Sequence, residues 1–277
     1  MAKRAAFSGP IEIDGGREMY VESRGNGTPT VVFISGFQGA FDDWTTVSIG
    51  GKLMESEGSA LLETAKLTHV FAYDRPGTTR INGKPTPSTP VTQPTSAADG
   101  VRDLHALLIA AKEPGPFVLV AHSMGGVIAR LYASRYPDQV VGLVLVDPGS
   151  EFLKSSLTSE QWSRFVRAAK APGPSKELEL ADYQASAAEL LEAPSIRRMP
   201  VIVLTADKPF EFGAGGSETW SAWVDAQSRL AERLPARHIK KTNSGHGIQL
   251  EQPQLVARAI RDVVEAVRDP AQWNSGD

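Results

Sequence analysis

A serine, a histidine and two aspartates stand where their neighbours suit them to acyl chemistry. Ser123 lies in Ala121-His122-Ser123-Met124-Gly125-Gly126, between the continuously apolar run Phe117 to Val120 and a helical repeat carried by Val127, Ile128, Leu131 and Tyr132. A serine at such a strand-to-helix turn sits in a nucleophile elbow. The turn is tight, so it needs small neighbours, and it exposes the hydroxyl above the sheet next to unpaired helix N–H groups. Ala121 stands where the first glycine of that motif usually does. A serine that merely caps the helix would leave the same short pattern, so the base and acid must decide.

A serine hydroxyl is a weak nucleophile at neutral pH and needs a general base, itself oriented by a third group. Of the five histidines, His69 and His238 fall in strands, His105 in a helix and His122 inside the elbow. His246 alone lies in a loop after the last strand, in Ser244-Gly245-His246-Gly247. In a parallel sheet, loops that leave strand C-termini gather at one edge, so His246 is the expected base. His122 is expected to line the pocket or to support the site from behind. Asp147 and Asp207 each follow a buried strand on that same edge, and either can accept the other imidazole N–H. The oxyanion donors are expected from the backbone of Met124, after the nucleophile, and Phe37, in the turn Ser35-Gly36-Phe37-Gln38-Gly39.

The elements that must carry these residues follow from the hydrophobic pattern. Ile11 to Ile13 and Glu18 to Ser23 read as antiparallel edge strands, followed by buried strands at Thr30 to Ser35 and Thr68 to Tyr73. Gly83 to Thr95 is Pro- and Thr-rich and reads as a surface loop of low order. A helix over Ser96 to Ala111, the strand and helix around Ser123, and a strand at Val140 to Val146 complete a βαβ alternation. Residues 149–198 interrupt it with helical stretches at Ser159 to Lys170 and Lys176 to Glu192. The sheet then resumes at Val201 to Thr205, followed by a Gly-rich turn, a helix over Trp220 to Leu234 and a strand at Arg237 to Lys241. A last helix, Pro253 to Arg268, carries one apolar stripe and should dock on the sheet.

Composition bounds the function. The 277 residues are 41% hydrophobic and 22% charged, with a formal charge of −3, which argues against nucleic acid or an anionic membrane as partner. The absence of cysteine excludes disulfides, thiolate metal sites and a cysteine nucleophile. No stretch reads as a signal peptide or membrane span, and the expectation is a soluble, cytoplasmic chain, monomeric or homodimeric.

Taken in order, the Ser35-Gly36-Phe37 turn, Tyr73-Asp74-Arg75-Pro76-Gly77, the elbow, Leu143 to Asp147, Pro200 to Leu204 and Ser244-Gly245-His246 resemble the landmarks of the α/β-hydrolase superfamily. The stretches Gly115 to Val120 and Leu131 to Pro137 are similar to those of small bacterial serine hydrolases. The resemblance implies a mostly parallel sheet of about eight strands with helices on both faces, formed by residues 1–148 and 199–277. It also implies a short helical lid, residues 149–198, inserted after the sixth strand. It implies a Ser-His-Asp triad acting on a small or medium hydrophobic ester without cofactor or metal. Lactone or carbon–carbon hydrolysis, cyanohydrin cleavage, perhydrolysis or a non-catalytic binding module are the alternatives on this fold. An aspartate nucleophile, as in related dehalogenases, is disfavoured by Ser123. Many relatives carry the acid slightly beyond Asp207, where Pro209 stands here, so Asp147 is the preferred acid and Asp207 the alternative. Phe152 and Trp162 are expected in the substrate pocket, although Trp162, Phe165 and Val166 are spaced like a helix face buried on the main domain.

Overall fold

The structure, a computed structural model, describes residues 5–171, 177–210 and 219–273. The Gly-rich turn expected before the helix at Trp220 lies outside those residues, as does Lys176, the expected start of a helix in the insertion.

Among the described residues, ten strands form two sheets. They are β1 (Phe7–Glu12), β2 (Glu18–Arg24), β3 (Thr30–Ile34), β4 (Thr46–Ile49), β5 (Lys52–Glu55), β6 (Val70–Tyr73), β7 (Phe117–His122), β8 (Val140–Val146), β9 (Val201–Leu204) and β10 (Arg237–Ile239). Eight of them make the central sheet in the order β1-β2-β6-β3-β7-β8-β9-β10. β1 and β2 pair antiparallel, as does β2 with β6, while β6 through β10 run parallel.

The central strands read as unbroken apolar runs because both faces are covered, and their residues divide by the two-residue period of a strand. Val32, Ile34, Leu119, Ala121, Leu143, Leu145 and Val203 face one core, packed by α2 (Ala97–Ala110) and α3 (Met124–Arg135). Val31, Phe33, Val118, Val120, Val144, Val146, Ile202 and Leu204 face the other, packed by α1 (Ala60–Ala65) and α9 (Pro253–Arg268). The expected stripe of α9 supplies Val256, Ala259, Ile260, Val263 and Val264 to that second core. Asp99, in the first turn of α2, accepts the Ser96 N–H at 2.9 Å and closes that helix start.

Residues 149–198 leave the sheet after its sixth strand and form α4 (Leu153–Ser156), α5 (Ser159–Ala169) and α6 (Tyr183–Glu192). A separate apolar cluster joins them to α7 (Trp220–Arg233) through Leu153, Leu157, Trp162, Phe165, Ala187, Ala222, Trp223 and Ala226.

Three local expectations are corrected. Of the helix expected over Lys176 to Glu192, the described part begins at Tyr183, because residues 179–181 are strapped to the core: Glu179 N–H donates to Gly77 O (2.9 Å) and Ala181 bridges Thr95. Asp182 then caps α6 by accepting the Ala185 N–H at 3.0 Å. The Gly83 to Thr95 loop lacks helix and strand but is fastened by hydroxyls, Thr86 to Asp74 Oδ2 (2.9 Å) and Ser88 to Asp74 O (2.8 Å). The β4–β5 hairpin was not anticipated, since β5 is exposed along its whole length and offers no alternation. Its turn, Gly50-Gly51 with both φ values positive, was the available signal.

The elbow depends on close approach at Gly125. A methyl group there would collide with the carbonyl oxygens of Ile34 and Ser35 at the end of β3. Gly125→Ala should therefore lower stability by about 1–3 kcal/mol through overpacking against backbone. Urea unfolding of the variant beside the wild type measures this.

Candidate active site

The strand register aligns the chemistry. Ile34 pairs with Ala121, His122 with Val146 and Val146 with Leu204, so the segments leaving these strands emerge side by side at one sheet edge. Ser123 stands there at φ 50° and ψ −119°, a conformation costly for a residue with a Cβ, and only 7% of its surface is exposed. Asp147, immediately after β8, is also held at positive φ (42°) and is fully buried.

His246 Nδ1 lies 2.6 Å from Asp147 Oδ2. The same oxygen accepts the indole N–H of Trp223 (3.1 Å), while Oδ1 accepts the Ala206 N–H (2.9 Å) and the Gln227 side-chain N–H (2.8 Å). With both oxygens accepting, the proton shared with His246 belongs on Nδ1, which leaves Nε2 free to act as an acceptor. Gln227 is fixed in turn by the Thr205 hydroxyl, which donates to its Oε1 (2.5 Å), and His238 Nε2 stands 2.8 Å from that hydroxyl. Burial, with the charge of Lys240 nearby, lowers His238 to about 4, so His238 is neutral and donates to the hydroxyl at pH 7.

Asp207 is elsewhere. It is exposed, and its Oδ1 accepts the Ser244 N–H at 2.9 Å, so it anchors the loop that carries His246 rather than touching the imidazole. Burial opposes its ionisation, but the combined backbone N–H groups of Asn243 and Ser244 hold its carboxyl below the usual range.

His122 Nε2 lies 2.9 Å from the carbonyl oxygen of His246 and must donate to it. Its Nδ1 is buried without a hydrogen-bond partner. Burial, reinforced by the adjacent His246, pushes His122 well below the ordinary imidazole value, so it is neutral. Phe210 stacks on the His246 ring with centroids 4.5 Å apart, and Trp223 meets the ring edge-on at 5.6 Å.

A cavity of about 310 Å³ opens over these groups. Gly36, Phe37, Asp43, His122, Ser123, Phe165, Ala168, Ala169, Tyr183, Trp223 and His246 line it. Phe37 lines this cavity with Ser123, Met124 follows Ser123 at the start of α3, and among the described residues neither backbone N–H donates to a protein acceptor. Phe152 and Trp162 do not line the cavity. Trp162 is 7% exposed within the apolar cluster between the insertion and α7, and the Phe152 ring lies under the Arg229 guanidinium at 4.7 Å. Both satisfy the burial of the insertion itself.

A buried ion pair, absent from the sequence reading, fixes the turn after β3. Arg75, 4% exposed, donates to Ser35 O (2.8 Å) and Gly36 O (2.6 Å) and pairs with Glu179 of the insertion at 2.6 Å. Glu179 Oε2 also accepts the Gln38 N–H at 2.6 Å. The turn that presents Phe37 is thus gripped on both sides by one buried pair. Asp43, beside this turn, behaves differently: burial and the nearby charge of Asp42 push its carboxyl up to about 7, against the pull of Arg75.

A model of the alpha/beta hydrolase family matches residues 31–259. The chain belongs to that family. The α/β hydrolase is 26% identical over 265 residues to the YqjL protein of Bacillus subtilis (strain 168), covering 94% of this chain and 93% of that protein. A thermophilic esterase from Thermogutta terrifontis superposes with a TM-score of 0.63 at 19% identity, over 95% of this chain and 99% of the esterase. The haloalkane dehalogenase DatA from Agrobacterium tumefaciens C58 does so with a TM-score of 0.65 at 16% identity, over 95% and 97%. At these identities the likeness is one of fold. Among the described residues no group of histidine and acidic side chains is arranged to hold a metal ion, and no helix is long and apolar enough to cross a membrane.

Removing Glu179 strands the Arg75 guanidinium in the interior. Glu179→Ala should cost about 3–5 kcal/mol, the usual penalty for leaving a buried charge unpaired, whereas Lys66→Ala, at an exposed surface pair, should cost no more than about 1 kcal/mol. Denaturant melts of the two variants test the contrast.

Proposed function

We propose that this α/β hydrolase is a serine esterase that cleaves a small or medium hydrophobic carboxylic ester through an acyl-enzyme. The observation that carries the reading is the 2.6 Å contact from His246 Nδ1 to a fully buried, multiply bonded Asp147, with His246 and the strained Ser123 lining one cavity.

In the mechanism, Ser123 Oγ attacks the ester carbonyl carbon while its proton passes to His246 Nε2. Asp147 stabilises the resulting imidazolium and holds the ring orientation. The oxyanion is received by the N–H groups of Phe37 and Met124, the latter reinforced by the N-terminus of α3. Collapse breaks the carbon–oxygen bond to the alcohol, which leaves with the proton from His246. Water then repeats the sequence on the acyl-enzyme, with His246 as base, and releases the acid and free Ser123.

The insertion acts as the lid in this reading, since Phe165, Ala168, Ala169 and Tyr183 form the apolar roof over Ser123. A volume of about 310 Å³ suits a short or medium acyl ester rather than a long chain. The reaction requires neither metal nor organic cofactor.

Hydrolysis of p-nitrophenyl acetate and butyrate should be measurable and should vanish in Ser123→Ala, with a fluorophosphonate labelling only the wild type. Asp147→Asn should reduce turnover by about 10²–10⁴-fold, because the imidazole loses its orienting acceptor. Asp207→Asn should reduce it by less than about tenfold, because only loop anchoring is weakened. The opposite ranking in kcat would remove Asp147 from the mechanism, and an inactive, unlabelled wild type would favour a ligand-binding module.

A further inference from the structure

Among the described residues, the reaction leaves the one carboxyl that lines the cavity without a task. Apart from Ser123, His122 and His246, the lining side chains are the apolar or aromatic Phe37, Phe165, Ala168, Ala169, Tyr183 and Trp223, together with the carboxyl of Asp43. A pocket built only for hydrocarbon gains nothing from a carboxyl on its wall, because taking that group out of water costs free energy unless something bonds it.

The neighbouring carboxyls all have such bonds. Asp42 accepts the Ile81 N–H at 2.9 Å. Asp74 accepts the Phe41 N–H (2.7 Å), the Thr86 hydroxyl (2.9 Å) and Arg80 (2.9 Å). Glu179 holds Arg75 and the Gln38 N–H, so the nearby guanidinium is already committed. Asp147 holds His246, which excludes Asp43 as the orienting acid. Asp43 donates its backbone N–H to Ala40 O at 3.2 Å, but among the described residues its carboxyl has neither a hydrogen bond nor an ion pair. It is nevertheless closely seated, since a methyl group on Gly39 would collide with its Oδ2.

Its position says what it faces. Asp43 flanks the Gly36–Gly39 turn, the turn that offers the Phe37 N–H to the scissile carbonyl. His122 Nδ1 flanks the same turn from the elbow side, 2.6 Å from where a methyl on Gly36 would be. That nitrogen is an acceptor, because the proton of His122 is used at Nε2 on the His246 carbonyl. Among the described residues, two polar groups without hydrogen-bond partners, the Asp43 carboxyl and His122 Nδ1, thus flank the Gly36–Gly39 turn in a mostly apolar and aromatic cavity.

We propose that Asp43 is the specificity determinant of this site, selecting esters that carry a hydrogen-bond donor, a hydroxyl or an amine, close to the scissile carbonyl. The proposal rests on the esterase reading of Ser123 and names its substrate class. A hydroxyl satisfies Asp43 in either protonation state, and can also donate to His122 Nδ1. An ammonium group satisfies the ionised carboxylate.

The experiment compares kcat/KM for methyl butyrate, methyl 3-hydroxybutyrate, methyl 3-aminobutyrate and 2-hydroxyethyl butyrate, followed by acid release in a pH-stat. The first is the plain reference. The next two place a neutral or a cationic donor in the acyl part, and the last places a hydroxyl in the alcohol part. In the wild type at least one donor-bearing ester should exceed methyl butyrate by about tenfold or more, the value of one hydrogen bond to a charged or buried carboxyl. In Asp43→Leu that ratio should fall to within about twofold of unity, and Asp43→Asn should keep part of a hydroxyl preference while losing an amine preference. A wild type that prefers methyl butyrate, or a ratio unchanged in Asp43→Leu, overturns the proposal.

Two further measurements separate this from the esterase reading and from a structural role. In the Ser123→Ala background, saturation-transfer NMR should detect the preferred donor ester more strongly than methyl butyrate, and the difference should disappear in Ser123→Ala/Asp43→Leu. That comparison needs no turnover, and equal binding in the two backgrounds overturns the proposal even where no ester is cleaved. An unbonded carboxyl also destabilises the free protein. Its folded-state value of about 7 lies above the unfolded one, so the unfolded chain releases the proton first and stability declines as pH rises from about 4 to 7. The charged groups that act on Asp43 across this range are Asp42, Arg75 and Asp74, and His122 and His246 line the same cavity. Asp43→Asn should raise Tm at pH 7 and flatten that decline, whereas a lower Tm would show that the carboxyl supports the fold and would overturn the proposal.

Discussion

The carboxylate of Asp147 organises the C-terminal half of this molecule. It is fully buried, and a buried carboxylate is tolerated only when its lone pairs are occupied. The donors come from widely separated places: the backbone after β9, two side chains of α7 and the imidazole of the final loop. Each must arrive for the others to be worth having. The helix at 220–233 is therefore placed by polar demand as well as by the apolar cluster it shares with the insertion. The loop at 243–246 is placed twice over, by Asp147 gripping the His246 ring and by His122 gripping its carbonyl.

Much of this was legible in the sequence because the fold converts chain order into position. Parallel strands in register bring every strand-end turn to one edge, so a serine after Phe117 to His122 and an aspartate after Val140 to Val146 can be placed side by side without tertiary information. The choice between Asp147 and Asp207 was harder. Both follow buried strands, and what distinguishes them geometrically is the His246 ring 2.6 Å from Asp147, with Trp223, Gln227 and Ala206 occupying the rest of that carboxyl. Trp223 and Gln227 could not be singled out beforehand, since an aromatic and an amide four residues apart on an amphipathic helix are ordinary. The same ambiguity misplaced Trp162 and Phe152, whose aromatic character fits a pocket wall and a buried helix face equally well.

The pair Arg75 and Glu179 illustrates a different limit. Arg75 stands in a strand-end turn and Glu179 lies 104 positions later, in a stretch whose composition reads as helix. Nothing local announces that this stretch runs extended across the core, fixed by Gly77 and Thr95, before α6 begins. Long-range polar pairs of this kind are set by packing, which periodicity does not encode.

That pair also links two parts usually regarded as independent. Residues of the insertion line the cavity, and the same insertion supplies the carboxylate that holds Arg75 and the Gln38 N–H, hence the turn presenting Phe37. The wall of the cavity and the shape of that turn therefore share one anchor, so a change that weakens the seat of Glu179 is felt in both places at once.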